Sequence, residues 1–189
     1  MSHKSVVFFW VLFLFFSSKV YSAEENVGGP QLKNAIKSIA LNARVLTGSD
    51  LDTSSCGKKK NPGIIEADFK GDGQKDYAVL LKIGQPEETV YTSNGKSTPW
   101  NKLRVWFVVF LGQTDGSFKS IILEKIDDHS FPAYVTLKKI NPGHLENFDS
   151  GKRTSLKNAG IGLEFCEQSE TVYYWDELKN GFKKISTQD

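Results

Sequence analysis

This chain of 189 residues has little of what most enzyme signatures are made from. It has 3 histidines, 2 cysteines and 1 methionine. There is no Gly-x-Ser-x-Gly elbow and no glycine-rich phosphate loop ending in Gly-Lys-Ser/Thr. A zinc site wants three or four His, Cys or acid ligands, which two cysteines and scattered histidines do not supply. Charge of either sign is not in excess, with 24 basic residues against 22 acidic. A nucleic-acid or anionic-membrane surface needs a clustered basic surplus, so neither partner is expected. The one long apolar run, Val6 to Phe16, is too short to cross roughly 30 Å of hydrocarbon as a helix.

What stands around that run is a short basic start, Met1-Ser2-His3-Lys4, and a small, polar exit, Ser17 to Ala23. Together they describe a secretory signal peptide, with Val20 and Ser22 at the cleavage positions. The expected organisation is a leader at 1–22, a flexible tail at 23–29 and one domain at 30–189. Removing Lys4 and Lys19 with the leader brings the basic count down to the 22 acids, so the mature formal charge is zero. About 167 residues remain, enough for a single domain with a proper core. No membrane span is expected after cleavage, and the protein is expected to be secreted or periplasmic. In an oxidising compartment Cys56 and Cys166 read as one disulfide, with two separate buried thiols as the alternative.

Pro30 opens a pattern in which Leu32, Ala35, Ile36, Ile39, Ala40 and Ala43 recur at helical spacing, closed by Gly48-Ser49-Asp50. Lys58-Lys59-Lys60 reads as a solvated loop. From Ile64 the period changes to two or to continuous apolar runs. Strands are expected over Ile64–Asp68, Tyr77–Ile83, Arg104–Leu111, Phe118–Glu124, Tyr134–Ile140, Gly160–Cys166, Thr171–Trp175 and Phe182–Ile185. Arg104–Leu111 is apolar on both faces, which marks a central strand. Segments 84–102 and 143–157 are polar and read as loops. The expected class is α+β: an antiparallel meander of seven or eight strands with one N-terminal amphipathic helix packed on the sheet.

The chain turns on Asp68-Phe69-Lys70-Gly71-Asp72-Gly73-Gln74-Lys75-Asp76. Calcium takes hard oxygen ligands at alternate loop positions, and Asp68, Asp72, the Gln74 carbonyl and Asp76 fall at the first, fifth, seventh and ninth. Gly73 stands sixth, where the chain must turn. Against this, the third position is Lys70, an ammonium in place of an oxygen, and the twelfth is Val79 in place of a bidentate Glu. Two readings follow: a weak calcium loop, or a metal-free turn in which the aspartates accept loop N–H groups and Lys70 is the counter-ion. No cofactor is expected, calcium at this loop being the one open case.

Glu66 to Leu80 resembles the loop-and-strand element of FG-GAP/VCBS-type repeats, which also occurs singly in small secreted bacterial proteins. Val172-Tyr173-Tyr174-Trp175 through Phe182-Lys183-Lys184-Ile185 resembles the hairpin that closes many of them. The two stretches cover roughly 35 residues, and the resemblance implies a secreted bacterial domain with a calcium-loop-like element but no particular activity. The element occurs once, so a full propeller is not expected.

Asp127-Asp128-His129-Ser130 places acid, base and hydroxyl side by side, but a catalytic triad is a matter of geometry and not of adjacency. A polar turn accounts for it, and His144 reads as loop. Trp100, Trp106, Tyr173, Tyr174 and Trp175 offer material for a sugar or peptide platform, although strand aromatics commonly fill cores. The expectation is a non-enzymatic domain that binds a protein or glycan partner or interacts with the envelope. The alternatives are a secreted hydrolase built on Asp127 and His129, and an inhibitor or immunity-type partner of an envelope enzyme.

Overall fold

The computed structural model describes residues 28–166 and 168–188. The leader and all but the end of the tail read from the sequence lie outside the described residues. Among the described residues no helix is long and apolar enough to cross a membrane.

The described residues open with α1 (Gly29–Ile39), with Pro30 in its first turn. It ends at Ile39 and not beyond Ala43. Ala43 belongs to β1 (Ala43–Val45), opposite Ile83 of the third strand. A turn of 3-10 helix (Gly48–Asp50) and the short α2 (Thr53–Cys56) follow. Then come β2 (Ile64–Ala67), β3 (Asp76–Ser93), β4 (Lys96–Gly112), β5 (Phe118–Ser130), β6 (Val135–Ile140), β7 (Gly143–Glu146), β8 (Arg153–Leu156), β9 (Gly160–Phe165), β10 (Ser169–Asp176) and β11 (Gly181–Gln188).

The α+β expectation is corrected. Among the described residues strand accounts for 57% and helix for 11%, with one helix longer than two turns, so the fold is mostly β, built of several antiparallel sheets. The apolar cluster that takes in Leu32 and Ile36 consists mainly of strand residues, among them Ile64, Tyr77, Val79, Leu81, Val108 and Phe110. Both segments read as loops contain strands. Residues 84–102 complete a long hairpin about Asn94-Gly95, both at positive φ (51° and 74°) as a tight two-residue turn requires. Gly143–Glu146 pairs with Arg153–Leu156. These strands are polar and mostly exposed, with single apolar residues such as Leu145 and Leu156 in place of an apolar alternation, which is why they read as loops.

Five strands form one sheet, ordered β1-β3-β4-β5 with β2 also on β3, and four form another, ordered β11-β10-β9-β6. The larger core lies between them: Leu80, Val105, Phe107 and Val109 from the first sheet meet Val135, Leu137, Ile161, Leu163 and Tyr173 from the second. Val108 and Phe110 face the other way, into the cluster beside α1, so β4 is the two-sided central strand its sequence announces. Polar ties join the layers. Lys59 donates to Glu164 at 2.8 Å and to Thr136 at 2.9 Å, so this lysine anchors its segment to the second sheet where a solvated loop was expected. The Tyr173 hydroxyl donates to Glu124, which also accepts from Lys184 at 2.9 Å. Cys56 and Cys166 form a disulfide.

Candidate functional site

The acidic loop joins β2 to β3, and its three aspartates each serve a different set of backbone donors. Asp68 Oδ1 accepts the N–H of Gly71 at 2.6 Å and of Asp72 at 3.2 Å, while Oδ2 accepts Gly73 at 2.8 Å. Asp72 Oδ1 accepts the Gln74 N–H at 3.0 Å, and its Oδ2 lies 2.9 Å from Lys70 Nζ. That ammonium holds the Asp72 carboxyl below its ordinary range, and Asp72 in turn raises Lys70. Asp76 is fully buried. Its Oδ2 accepts Phe69 at 2.9 Å and Lys70 at 3.2 Å, and its Oδ1 accepts Gly112 at 2.9 Å. Burial pushes its carboxyl up, against the pull of those bonds.

Calcium needs several oxygens free to turn inward on one point. Here the carboxylates of Asp68, Asp72 and Asp76 are engaged by N–H groups and Lys70, and Gln74 enters through its N–H. Among the described residues no group of three or more His, Cys, Asp or Glu is placed to hold a metal ion. The residues as arranged do not fit the ion. Gly71 is at φ 79°, and a Cβ there would lie 2.4 Å from Asn158 Nδ2. The same amide donates to the Lys70 carbonyl at 3.0 Å, fastening the loop to the β8–β9 turn.

His129 is buried at 3% exposure on β5, where a polar turn was expected. Its Nε2 accepts the Tyr134 N–H at 3.3 Å, and its ring packs against Tyr134 and Phe165 with centroids at 4.5 and 6.2 Å. Burial pulls its pKa down to about 4. Asp127 is engaged elsewhere, its Oδ1 accepting the Trp106 indole N–H at 3.3 Å. The structure therefore does not bring Asp127 and His129 together. His144 is exposed on β7.

The aromatic residues separate by strand alternation. Tyr173 points into the main core, edge-on to Phe107 at 5.1 Å, and Trp175 meets Phe182 at 5.3 Å. Trp106 lies under Lys125 at 4.2 Å, and Trp100 is half-buried on β4 opposite Thr89. Tyr174 turns to the opposite face, toward the cluster of Leu145, Leu156, Val172 and Ile185 beneath the β7–β8 hairpin.

That hairpin leaves two clefts, and Tyr174 lines both. The larger, about 260 Å³, lies between the β8–β9 turn and the β10–β11 hairpin, lined by Ser155–Asn158, Tyr174–Leu178 and Lys183. The smaller, about 200 Å³, is lined by Asn147, Ser150, Lys152, Thr154, Tyr174, Lys184 and Ile185. Lys157 and Glu177 pair at 3.0 Å at the larger cleft. Asp176 pairs with Lys183, which holds its carboxyl below the ordinary range. Its Oδ1 also accepts the N–H of Leu178 at 3.0 Å and of Lys179 at 3.3 Å, forming the hairpin turn. Leu178 is almost fully exposed. Aromatic residues Tyr174 and Trp175 were legible as platform material. The polar residues at Asn147, Ser150, Lys152 and Lys157 were not, because they reach the site through a hairpin without an apolar signature. The chain matches no family model, no curated protein and no solved structure.

Proposed function

We propose that this chain is a non-enzymatic binding domain that works outside the cytoplasm, as a secreted or periplasmic protein, and takes a glycan segment at Tyr174. The observation that carries this reading is the position of Tyr174, an aromatic wall shared by two adjoining clefts. Sugar rings present apolar C–H faces to an aromatic ring and hydroxyls to its surroundings. Lys157, Asn158, Asp176 and Lys183 on one side, with Asn147, Ser150 and Lys152 on the other, supply donors and acceptors for those hydroxyls. At about 260 Å³ the larger cleft lies below the roughly 300–1,000 Å³ of small-molecule pockets, which suits one ring of a chain more than a whole compact ligand.

The leader-like sequence Val6–Phe16 and the disulfide support the location. The FG-GAP/VCBS-like element then serves as scaffold: its loop fixes Asn158 at the cleft through the Lys70 carbonyl.

The test is a titration of the leader-free protein with soluble oligosaccharides, including amino-sugar oligomers and muropeptide fragments, followed by amide chemical shifts. Saturable shifts at residues 155–158 and 174–178 are expected, weakened roughly tenfold or more by Tyr174→Ala. Lys157→Ala, an exposed change, should weaken binding without lowering the melting temperature. Absence of saturable shifts across the panel, or shifts centred elsewhere, would remove the reading.

A further inference from the structure

The β3–β4 hairpin runs past the rest of its sheet. β1 and β2 pair with β3 no further than Ile83, and β5 pairs with β4 no further than Lys102. From Glu87 to Asn101 the hairpin is a two-stranded arm, with Val90 61% exposed. A lone two-stranded ribbon is marginal in water, and its open edges are templates for another strand.

The two edges differ. The two-residue turn at Asn94-Gly95 makes Ser93 and Lys96 a hydrogen-bonded pair. The pairs Thr92/Ser97, Val90/Pro99 and Glu88/Asn101 are then the alternate kind, whose N–H and C=O groups point away from the partner strand. Asn101 agrees: its carbonyl accepts the Phe131 N–H at 2.9 Å on the outer side. Pro99 falls at such an outward position and has no N–H, so the β4 edge is closed. On the β3 edge, Glu88, Val90 and Thr92 present complete outward donor and acceptor sets.

We propose that this β3 edge is a seam between two copies of the chain, paired antiparallel about a two-fold axis at Val90. An axis at Val90, the midpoint of the free segment Glu87–Ser93, overlaps the two copies fully, and charge permits it. With the axis at Val90, Glu88 stands opposite Thr92 of the second copy, and Glu87 opposite Ser93, so no acid faces an acid. In the Glu87 row Lys102 stands beside it in the same chain and Lys96 of the second copy stands beyond that Ser93, while Glu87 also pairs with Arg104 of its own chain at 3.3 Å. An axis at Glu88 would set that acid against itself, which cross-strand pairing disfavours. Each Val90 exchanges both backbone bonds with its copy, the hydrogen-bonded arrangement in which Cα atoms lie about 5.5 Å apart.

Sedimentation equilibrium on the intact leader-free chain, from about 1 µM to about 500 µM, should show a concentration-dependent dimer. Val90→Pro removes an outward N–H and no bond within the hairpin, so the monomer keeps its melting temperature. The dimer dissociation constant rises roughly tenfold or more, from the loss of two backbone bonds. Under mild oxidation Val90→Cys should cross-link two chains. Thr92→Cys should not, because its symmetry mate lies about 14 Å away along the strand, beyond disulfide reach. A monomer at every concentration, a dimer that survives Val90→Pro, or Thr92→Cys linking as readily as Val90→Cys would each overturn the proposal.

Discussion

The Asp76 carboxylate and the Gly112 backbone N–H, 36 residues apart in the chain, meet at 2.9 Å. The other oxygen of the same carboxylate holds the N–H groups of Phe69 and Lys70. One buried side chain thus closes the acidic loop and ties it to the far end of β4. Asp76→Ala would leave these N–H groups without acceptors beside the fully buried Phe69. An unmade buried bond costs about 1–3 kcal/mol, so a loss of roughly 3 kcal/mol or more is expected in urea unfolding. Asp72→Ala, which removes a half-exposed pair, should cost less than about 1 kcal/mol. Adding calcium or chelator should leave both melting curves where they were, because the loop carboxylates already have partners. Equal losses at Asp76 and Asp72 would contradict the division of labour drawn here.

Asp50 and Lys82 form a buried ion pair, each side chain 9% exposed. Burial pushes the Asp50 carboxyl up, but the bonds from Lys82 and from Thr47, at 2.9 Å from its N–H and 2.8 Å from its hydroxyl, outweigh that and hold it low. Lys82→Met keeps the side-chain volume and strands a buried carboxylate, an arrangement that typically costs about 3–5 kcal/mol. Adding Asp50→Asn to Lys82→Met should recover part of the loss. A double-mutant cycle read by chemical unfolding gives the coupling, and strict additivity would mean that the pair is not formed.

The Cys56–Cys166 bridge joins the segment before β2 to the end of β9 across a separation of 110 residues. In the chain-entropy account such a closure contributes about 4–5 kcal/mol by restricting the unfolded chain. Native protein should show no alkylatable thiol by mass. Cys56→Ala with Cys166→Ala should lower the denaturant midpoint and raise the slope, because the unfolded chain without the cross-link is less compact. Two alkylated cysteines in native protein would exclude the bridge.

The sequence was most readable where burial imposes a period. Val105 to Leu111, apolar on both sides, is the central strand, and Val172 to Trp175 with Phe182 to Ile185 is the closing hairpin. It was least readable where strands lie bare. Thr89 to Ser93 and Lys96 to Asn101 alternate nothing, and only Asn94-Gly95 marks the hairpin between them. The helical period of Leu32 and Ile36 ran on through Ala40 and Ala43, because alanine fits either structure and only pairing with Ile83 decides. Within the acidic loop, spacing treated Asp68, Asp72 and Asp76 alike. Burial distinguishes them, and burial depends on Gly112, which local sequence does not reveal.

His129 reports on acid stability. In the fold its ring is neutral, with a pKa of about 4 against 6.5 when unburied. As pH falls between those values the unfolded chain binds a proton that the native ring refuses, so stability falls with pH, by up to about 3 kcal/mol across the whole window. Asp76 acts in the opposite direction: its native pKa is raised, so the fold takes up that proton before the unfolded chain does. A single pH curve mixes the two, and a variant is needed to separate them. His129→Gln removes the titrating ring and keeps an acceptor for the Tyr134 N–H. Between about pH 7 and pH 4.5 the parent should lose roughly 2–3 kcal/mol more than His129→Gln, measured as urea midpoints at each pH. Parallel curves for the two proteins would mean that the native ring accepts a proton as readily as a free histidine, which its place between Tyr134 and Phe165 should forbid.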